Sequence, residues 1–335
     1  MAVTISDVAR EAGVSTSTVS KVLNHWSSIS PETTKKVQEV MERLHYTPNA
    51  RAVSFAKGST KNILFLAAFS RDAAYANPHM FDILCGVQSA LCLESYSTTL
   101  ACPPEGASPD AFLSELVSRK TADGIIIHGS AYTPSMSKVL MAEQFPHILI
   151  GSPGTNSRLC WIDTNNGLAG QIAAQHLIQH GYRKIAFIGG KSSDYISQHR
   201  LNGFLGAMYE SGLRVPEAYT VFTDSSLHDG FEKSCVLLQL KNRPEAIICE
   251  NNTLALGTMK AIEKAGLSIP SEIALLTFDI YPYSRIIEPK PAVVDIDVYD
   301  LGLQAASMIL RKLENPSLLV QTYTTLPVIR DGKTT

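Results

Sequence analysis

The sequence predicts an all-α helix-turn-helix headpiece followed by an α/β core of two doubly wound parallel-sheet lobes. Three helical patterns, each opened by a capping residue, fill the first 48 residues. From residue 62 onward, apolar runs of strand length alternate with stretches of helix length. This alternation is typical of parallel strands covered by helices on both faces. It continues for too many residues to fit one such sheet, so we expect two lobes.

The first two helices and the turn between them form a specific local pattern. Thr4 and Asp7 stand at the spacing of a capping box, in which each side chain satisfies a free backbone N–H at a helix start. Gly13 ends this helix, because glycine readily adopts the positive φ that a tight turn needs. Ser15 then caps a second helix. Two short helices joined by a turn that contains glycine predict a helix-turn-helix unit.

The exposed face of the second helix carries short hydrogen-bonding side chains and one cation: Thr16, Ser17, Thr18, Ser20 and Lys21. In helix-turn-helix proteins the N-terminal residues of this helix contact base edges in the major groove. Hydroxyl groups bond to bases or to phosphates, so they specify a base less sharply than Arg or Asn does. A solvated helix rich in Ser and Thr is the alternative for this helix taken alone.

A third helix completes the headpiece. Ser30 is a capping residue, and Pro31 suits the first helical position. Apolar side chains then repeat along one face at Val37, Val40, Met41 and Leu44. Three short amphipathic helices can bury one small core together. Pro48 pushes the residue before it out of the helical region, and weak helical character resumes over residues 49–56.

Two sequence runs carry a resemblance to a known family. The run T-I-S-D-V-A-R-E-A-G-V-S-T-S-T-V-S-K-V-L-N, and later Y-T-P-N-A-R-A-V-S-F-A, resembles the headpiece of the lactose-repressor (LacI/GalR) family of bacterial transcription regulators. The similarity continues through nearly the whole chain. It implies a homodimer that binds a near-palindromic operator DNA, with hinge helices that become ordered on DNA. It also implies a core of two similar α/β lobes, like a periplasmic sugar-binding protein.

The same resemblance predicts which residues contact DNA: Thr4, Ser15, Thr16, Ser17, Thr18, Ser20, Lys21, Asn24, Asn49, Ala52 and Phe55. In the family a hinge Leu usually enters the minor groove between base pairs, and Phe55 stands at the matching position. A flat aromatic ring can also enter an opened base step and kink the duplex. The alternative is that Phe55 packs the two hinge helices against the core.

Charge is distributed unevenly along the chain. Residues 1–61 hold eight basic and five acidic side chains, a net charge of +3, whereas the whole chain carries −2 and the remainder therefore −5. A basic head on an acidic body is expected when only one end meets phosphate. The weak net basicity predicts modest non-specific DNA affinity that falls steeply with salt.

The sequence argues against a membrane protein, a secreted protein and a protein held by disulfides or metal. The longest apolar run, Ile63–Phe69, is far shorter than the ~20 residues that span a bilayer, so no membrane partner is expected. The N-terminus lacks the regions of a signal peptide, which predicts a cytoplasmic protein. Six scattered cysteines without a C-x-x-C pair predict buried free thiols rather than disulfides or a metal site.

Enzyme motifs are incomplete or missing. Gly190-Lys191-Ser192 is similar to the end of a phosphate-binding loop, but that loop needs glycine where Ile185 stands. The sequence has no G-x-S-x-G nucleophile elbow, no H-E-x-x-H zinc motif and no glycine-rich dinucleotide fingerprint. We therefore expect no catalytic residues, no metal and no cofactor.

These patterns predict three segments. The headpiece covers residues 1–48, a hinge helix and linker covers 49–61, and an effector-binding and dimerisation core covers 62–335. Within the core, lobe 1 is expected at about 62–161 and 292–322, and lobe 2 at about 162–291 and 323–335. The crossovers between lobes are placed near Trp161, Pro289–Pro291 and Gln321–Thr325. The chain ends without a leucine heptad, which favours a dimer over a tetramer.

Ligands of open α/β folds sit beyond the carboxyl ends of the strands. That rule, together with the resemblance, predicts an effector site made of Ser70, Asn77, His79, His128, Asp163, Arg200, Asn251, Asn252 and Asp279. Arg200 and Asp279 match effector contacts of the family, whereas Asn252 replaces a usual Asp. The alternatives are that Asp163 caps a helix near Asn165, that Arg200 pairs with a carboxylate, and that Asp279 satisfies turn N–H groups.

The predicted function is a sequence-specific DNA-binding transcription regulator. The resemblance favours a repressor that is gated by a small polar effector, such as a sugar or sugar derivative. The alternative is a solute-binding protein of the transport class without a regulatory role. A regulator that responds to a protein partner instead of a ligand would share the same fold.

Overall fold

The structure is a computed structural model that describes residues 3–24, 26–47, 59–69, 79–154, 157–280, 286–318 and 322–335. The chain separates into two compact units, Met1–Lys61 and Asn62–Thr335. No helix among the described residues is both long and apolar enough to cross a membrane. Of the cysteines, Cys160 and Cys249 are buried whereas Cys92 and Cys102 are exposed, so the prediction of buried thiols is right for the first pair and wrong for the second.

The first unit has three helices, α1 (Ile5–Ala12), α2 (Thr16–Leu23) and α3 (Pro31–Arg43). The predicted caps are all present. Thr4 and Asp7 form the capping box, Gly13 is left-handed with φ 65°, and Ser15 and Ser30 accept backbone N–H bonds at the starts of α2 and α3. Apolar side chains from the three helices, including Val8, Val19 and Val37, are fully buried together.

Lobe 1 of the second unit is built on a six-stranded sheet with strand order β11-β5-β4-β3-β1-β2. All pairs in it are parallel. Its strands are β1 (Asn62–Leu66), β2 (Ser97–Ala101), β3 (Gly124–His128), β4 (His147–Ile150), β5 (Trp161–Thr164) and β11 (Thr322–Thr325). Its helices are α4 (His79–Leu93), α5 (Pro109–Ser118), α6 (Met136–Ala142) and α11 (Val298–Glu314), with a short 3₁₀ turn at Gly129–Ala131.

Lobe 2 repeats the design with the strand order β12-β10-β9-β8-β6-β7, in which only β12 is antiparallel. Its strands are β6 (Ile185–Gly189), β7 (Thr220–Phe222), β8 (Ala246–Cys249), β9 (Ala274–Phe278), β10 (Ala292–Asp295) and β12 (Val328–Arg330). Its helices are α7 (Asn166–Gln179), α8 (Tyr195–Glu210), α9 (Leu227–Leu238) and α10 (Asn252–Lys264), with a 3₁₀ turn at Glu217–Tyr219.

The crossovers between lobes lie a few residues later than the sequence indicated. β5 pairs within the lobe 1 sheet, so the chain leaves that lobe after Thr164 and not near Trp161. β10 pairs with β9 in lobe 2, so Pro289–Pro291 precede a lobe 2 strand and the chain crosses to lobe 1 only after Asp295. Each error has the same cause, because a polar or proline-flanked strand of four residues has too weak an apolar signal to be recognised as part of a sheet.

The helices α7 and α8 approach each other through glycine. A Cβ on Gly203 would lie 1.9 Å from the carbonyl oxygen of Gly167, and a Cβ on Gly170 would lie 1.9 Å from the carbonyl oxygen of Arg200. The two backbones are therefore closer than any larger residue permits. Because Arg200 lies on α8, this close packing sets how far the Arg200 side chain stands from the sheet.

We expect Gly203→Ala to destabilise the core by about 1–3 kcal/mol, because the added methyl group overlaps backbone atoms that cannot rotate away. Gly206 on the same helix is exposed and has no heavy atom within 4 Å of its missing Cβ. Gly206→Ala is thus the matched control, and helix propensity predicts a gain of about 0.5–1 kcal/mol. Urea unfolding of both variants checks this, and equal midpoints would contradict the close contact.

Candidate nucleic-acid interface and effector site

The outer face of α2 presents the side chains that the sequence predicted to contact DNA. Thr16, Ser17 and Lys21 are exposed, whereas Thr18 and Ser20 are partly buried. Thr16 and Ser17 stand in the first turn of the helix, which is the part of a recognition helix that meets base edges. This face therefore offers two exposed hydroxyl groups and one ammonium group to a groove, although Ser17 Oγ also lies 3.2 Å from Ser15 Oγ.

Three of the residues predicted to contact DNA also form hydrogen bonds within the headpiece. The Thr4 hydroxyl donates to Asp7 Oδ2 over 2.7 Å, and Ser15 Oγ accepts the Thr18 N–H over 3.1 Å. Asn24 Nδ2 donates to the carbonyl oxygen of Ser20 over 2.8 Å. Thr4 and Ser15 cap the starts of α1 and α2, and Asn24 caps the end of α2. Replacing any of them therefore alters the headpiece itself together with any DNA contact.

Trp26 is a candidate that the sequence reasoning missed. Its side chain is 58% exposed, and the Lys21 ammonium nitrogen lies 5.7 Å from the centre of its ring. The signal was present in the sequence, because a lone tryptophan in the polar run after Asn24 has no helical face to join. An exposed aromatic ring beside a cation is suited to the sugar-phosphate edge of a duplex.

Five predicted site residues lie outside the described residues. They are Asn49, Ala52 and Phe55 of the hinge and Ser70 and Asn77 of the core. Their roles stay predictions.

A cavity of about 360 Å³ opens between the two lobes at the carboxyl ends of their strands. Lobe 1 contributes His79, His128 and Asp163 to its lining. Lobe 2 contributes Arg200, Glu250, Asn251 and Asp279. Six of the predicted effector residues thus meet in one place, although they come from elements spread over some 200 residues of the chain. Isoleucine, valine and leucine side chains complete the wall.

Arg200 is held in place by neutral groups of lobe 2. Its Nε donates to Asn166 Oδ1 over 3.0 Å, and its Nη1 donates to the carbonyl oxygen of Glu250 over 2.7 Å. The guanidinium carbon lies 4.1 Å from the centre of the Phe278 ring. The alternative of a carboxylate partner is therefore wrong for the described contacts, and the guanidinium is fixed with one edge directed at the cavity wall.

Asp163 is a buried acceptor. Its Oδ1 accepts the Thr164 N–H over 2.8 Å, whereas its Oδ2 has no hydrogen-bond partner among the described residues. Burial is the main cause that raises the pKa of Asp163 to about 6, and nearby Arg200 acts in the opposite direction. The helix-cap alternative does not hold, because Asn165 Oδ1 accepts the Leu168 N–H at the start of α7.

Asp279 and His79 link the two lobes. His79 Nε2 at the start of α4 lies 3.2 Å from Asp279 Oδ2, which follows β9. Asp279 adopts φ 72°, in the left-handed region, and its Oδ1 has no partner in the part of the chain that the structure describes. Asp279 therefore combines backbone strain with an unsatisfied buried oxygen on the cavity wall.

His128 has a defined tautomer. Its Nδ1 accepts the Ser130 N–H over 3.1 Å, so the proton of the neutral ring is on Nε2. Burial lowers the pKa of His128 to about 4, with a further contribution from His79, so the ring is neutral at pH 7. His128 therefore brings an N–H donor to a cavity otherwise rich in carboxylates.

Asn251 and Asn252 differ in what their side chains do. Asn251 lines the cavity and also caps α10 through the Leu254 N–H. Asn252 is not part of the lining, because its Nδ2 donates to the carbonyl oxygens of Phe278 and Asp279. The prediction that Asn252 contacts the effector is thus replaced by a positioning role: it holds the end of β9 and with it Asp279.

Glu250 is the cavity residue that the sequence reasoning missed. It follows β8 directly in the run C-E-N-N, is 7% exposed, and receives the Gly190 N–H on Oε2 over 2.9 Å. Its position at the carboxyl end of a strand was the available signal.

Comparison with known proteins matches both units. A model of bacterial regulatory proteins of the lacI family matches residues 4–49, and a periplasmic binding protein-like domain matches residues 174–335. The HTH-type transcriptional repressor PurR of Actinobacillus pleuropneumoniae serotype 3 (strain JL03) is 30% identical over 311 residues, covering 93% of this chain and 91% of the relative.

The chain belongs to the lacI family of bacterial regulatory proteins. It is a DNA-binding transcription regulator with a two-lobed core. The ribose operon repressor of Escherichia coli (strain K12) is 29% identical over 330 residues, 98% of each chain. A transport protein without a regulatory role is set aside, because the headpiece is matched as well as the core.

Solved structures of the lacI family share the fold. The lac repressor dimer bound to operator and the anti-inducer ONPF has a TM-score of 0.84 at 23% identity, over 100% of this chain and 99% of that chain. The CelR–cellobiose complex has a TM-score of 0.74 at 21% identity, over 99% and 100% of the two chains. The predicted fold class, a helix-turn-helix headpiece with two parallel-sheet lobes, is confirmed.

The hydrogen bonds at the start of α2 distinguish the Ser15 hydroxyl, which caps the helix, from the exposed Thr16 hydroxyl, which does not. Ser15→Ala removes the cap of α2, so we expect a loss of about 1 kcal/mol and about fivefold faster amide hydrogen exchange in that helix. Thr16→Ala is the matched control, because its exposed side chain makes no such cap, and exchange should stay unchanged while operator affinity falls. Equal exchange rates in the two variants would show that the Ser15 cap is not needed.

Proposed function

We propose that this regulator is a repressor whose operator binding is controlled by a small, hydroxyl-rich effector, a sugar or sugar derivative, held between the two lobes. The observation that carries the proposal is the inter-lobe cavity, in which the buried oxygens Asp163 Oδ2 and Asp279 Oδ1 accept no hydrogen bond from the described residues. Buried acceptors without partners are costly, so a ligand that donates to them gains the full benefit of satisfying them.

The polar groups of the cavity suit hydroxyls. The two carboxylates accept, whereas Arg200 and the Nε2 of neutral His128 donate. A hydroxyl group does both, so a polyol can satisfy each of these groups in turn. The apolar side chains Ile83, Ile196 and Leu301 offer a surface for the C–H face of a sugar ring. The CelR–cellobiose complex and the ribose operon repressor are relatives whose names point to sugars.

Control of DNA binding follows from ligand contacts with both lobes. Asp163 and His128 belong to lobe 1, and Arg200 and Asp279 belong to lobe 2, so a ligand bound to all four stabilises one arrangement of the lobes over others. The effector shifts the equilibrium only by its difference in affinity for those arrangements. We propose that the shift is relayed through residues 49–61, which join the lobes to the headpiece. Whether the effector releases the operator or tightens binding follows from the sign of that difference.

The operator complex is proposed to contain a homodimer on near-palindromic DNA. Two headpieces related by a twofold axis would place their α2 helices in successive major grooves, about 34–36 Å apart. The hydroxyl-rich face of α2, Lys21 and Trp26 are the proposed contacts. A stable tetramer in sedimentation equilibrium would contradict the dimer.

The test of the whole proposal joins two measurements on the full chain. A thermal-shift screen with sugars, sugar acids and sugar phosphates identifies a ligand, and a gel shift with genomic fragments measures its effect on DNA binding. We expect one ligand class to raise the melting temperature and to change operator affinity at least tenfold. A ligand that stabilises the protein without changing operator affinity would show that ligand binding does not control DNA binding.

Arg200→Ala should remove the ligand-induced rise in melting temperature, because the guanidinium anchors both the cavity wall and the ligand. The exposed Arg214 of the same lobe provides the matched control, and Arg214→Ala should keep the full shift. Since Arg200 also holds Asn166 and Glu250 in place, the melting temperature without ligand is recorded for both variants. An equal ligand shift in Arg200→Ala would place the ligand elsewhere.

Effector affinity should depend on the charge of Asp163. A carboxylate that accepts two hydroxyl groups binds best when ionised, and the pKa of Asp163 is raised to about 6, so affinity should fall as the pH drops from 7 to 5. Arg200 and His199 are the charged groups that act on it. His128, with a pKa of about 4, stays neutral in this range. Asp163→Asn should flatten the dependence in calorimetric titrations, and a slope unchanged in that variant would assign it to another group.

A further inference from the structure

A second cavity lies in lobe 1, away from the proposed effector site. It has a volume of about 640 Å³ and opens at the amino edge of the sheet, between the end of α6, the start of β4, the segment before β5 and the end of α11. The two cavities share no lining residue, since His147 at the start of β4 lines this one and Ile150 at the end of the same strand lines the inter-lobe cavity. A cavity of this size is typical of small-molecule sites. We call it the amino-edge pocket.

One wall of the amino-edge pocket is apolar. Six of the eleven described lining residues are Leu, Met, Phe or Pro, and they come from α6, from the turn before β4 and from the turn after α11: Leu140, Met141, Phe145, Pro146, Pro316 and Leu318. Met141 is 42% exposed although its side chain is apolar. Such a surface suits the hydrocarbon part of a ligand, because binding removes both apolar surfaces from water.

The polar part of the lining carries positive charge. Arg158 precedes β5 and Lys312 stands in the last turn of α11, whereas no Asp or Glu is among the described lining residues. Neither cation forms a salt bridge with a carboxylate of the described chain. Glu143 and Glu314 are close to the pocket in the sequence, but neither lines it. The amino-edge pocket therefore offers uncompensated positive charge beside an apolar wall.

His147 lines the pocket as a neutral ring. Its Nδ1 donates to the carbonyl oxygen of Phe145 over 2.7 Å, and its Nε2 accepts the Cys160 N–H over 3.3 Å, so the backbone occupies both ring nitrogens. Burial is the main cause that lowers the pKa of His147. The Lys312 charge acts in the same direction, whereas the bond to Phe145 opposes both. Lys312 thus lies near enough to the ring for its charge to act there, and the ring itself adds no charge.

The two cations of the pocket have different surroundings. Lys312 is half-buried at the C-terminal end of α11, where the helix dipole is negative, so the helix balances part of its charge. Arg158 is exposed and lies outside any helix or strand, so it has no such balance. A guanidinium also matches the planar, two-pronged geometry of a carboxylate or phosphate better than an ammonium group does. Arg158 is therefore the main anchor for an anion, and Lys312 adds to it.

We propose that the amino-edge pocket binds a small amphipathic anion, a molecule with an aryl or alkyl body and one carboxylate or phosphate group. The body packs against the apolar wall, and the anionic group binds Arg158 and Lys312. Gln144 adds a neutral amide to the same lining. A sugar suits this pocket poorly, because it would place hydroxyl groups against apolar side chains and find no carboxylate acceptor among the described lining residues. The site is additional to the proposed effector site and does not depend on it.

The experiment compares matched probes by calorimetry on the full chain at pH 7. The probe 2-naphthoate has both the apolar body and the charge, 2-naphthamide has the same body without the charge, and acetate has the charge without the body. A fourth probe, 2-naphthyl phosphate, distinguishes a phosphate from a carboxylate as the preferred group. We expect at least one naphthyl anion to bind at least tenfold more tightly than both the amide and acetate. A tenfold preference corresponds to about 1.4 kcal/mol.

Arg158→Gln is the decisive variant, because it removes the main anchor from an exposed position. It should weaken binding of the naphthyl anion at least tenfold and leave the affinity for the amide unchanged. Arg214→Gln removes the same charge from an exposed position in lobe 2 and should leave every affinity unchanged. Gln144→Glu introduces a negative charge into the lining with almost no change in size, so it should also weaken binding of the anion. Melting temperatures without ligand establish that the three variants fold.

Three results would overturn the anion site. Equal affinity for the naphthyl anions and the amide would remove the role of charge, and an affinity that survives in Arg158→Gln would place the anion elsewhere. Absence of detectable binding by both naphthyl anions would refute the site as well. None of these results bears on the inter-lobe cavity, because the two cavities share no lining residue and the effector is tested separately through Arg200→Ala.

Discussion

The position of Arg200 is the constraint on which the rest of the candidate site depends. The guanidinium carbon lies 4.1 Å from the centre of the Phe278 ring, and the group donates to Asn166 and to the carbonyl oxygen of Glu250. One side chain therefore connects α7, α8, the end of β8 and the end of β9. A buried guanidinium is stable only when its donors are satisfied. Here two neutral acceptors bind its Nε and Nη1, and no carboxylate among the described residues forms a salt bridge with it.

This arrangement explains why acceptors with no partner accumulate on the cavity wall. Asp163 Oδ2 and Asp279 Oδ1 are both buried without hydrogen-bond partners among the described residues. In a protein core such groups would be selected against, because each one costs on the order of 1–3 kcal/mol. At the carboxyl ends of two facing sheets, these oxygens are available to the donors of the proposed effector. The cost is part of what makes ligand binding selective for donors.

The two lobes are connected closely enough for ligand contacts to matter. The first and third crossovers run side by side, since the Asn165 N–H donates to the carbonyl oxygen of Thr325 and the hydroxyls of Thr164 and Thr325 lie 3.1 Å apart. The His79–Asp279 pair adds a link across the cavity. A ligand held by residues of both lobes therefore acts on a hinge of a few residues, where a small free-energy difference selects one arrangement.

Much of the site could be predicted, and the errors share a reason. The order of strands and helices placed His79, His128, Asp163, Arg200, Asn251 and Asp279 near one cleft, because parallel strands all present their carboxyl ends to the same edge. Asn252 was assigned to the ligand and Glu250 was overlooked. The two residues are separated by one position, and the direction of a side chain at the end of a strand depends on what packs above it. For Asn252 that is the backbone of Phe278 and Asp279, 26 and 27 residues later.

By itself, the sequence determined the headpiece and the order of elements in the core. Capping boxes, a left-handed glycine and apolar periodicity act over three to seven residues, so they can be read without the fold. Only the tertiary structure decided where the chain crosses between lobes, which buried oxygens remain unpaired, and that Glu250 lines the cavity whereas Asn252 does not. Those properties arise from contacts between segments far apart in the chain, and no local pattern encodes the distance between two side chains that meet only after folding.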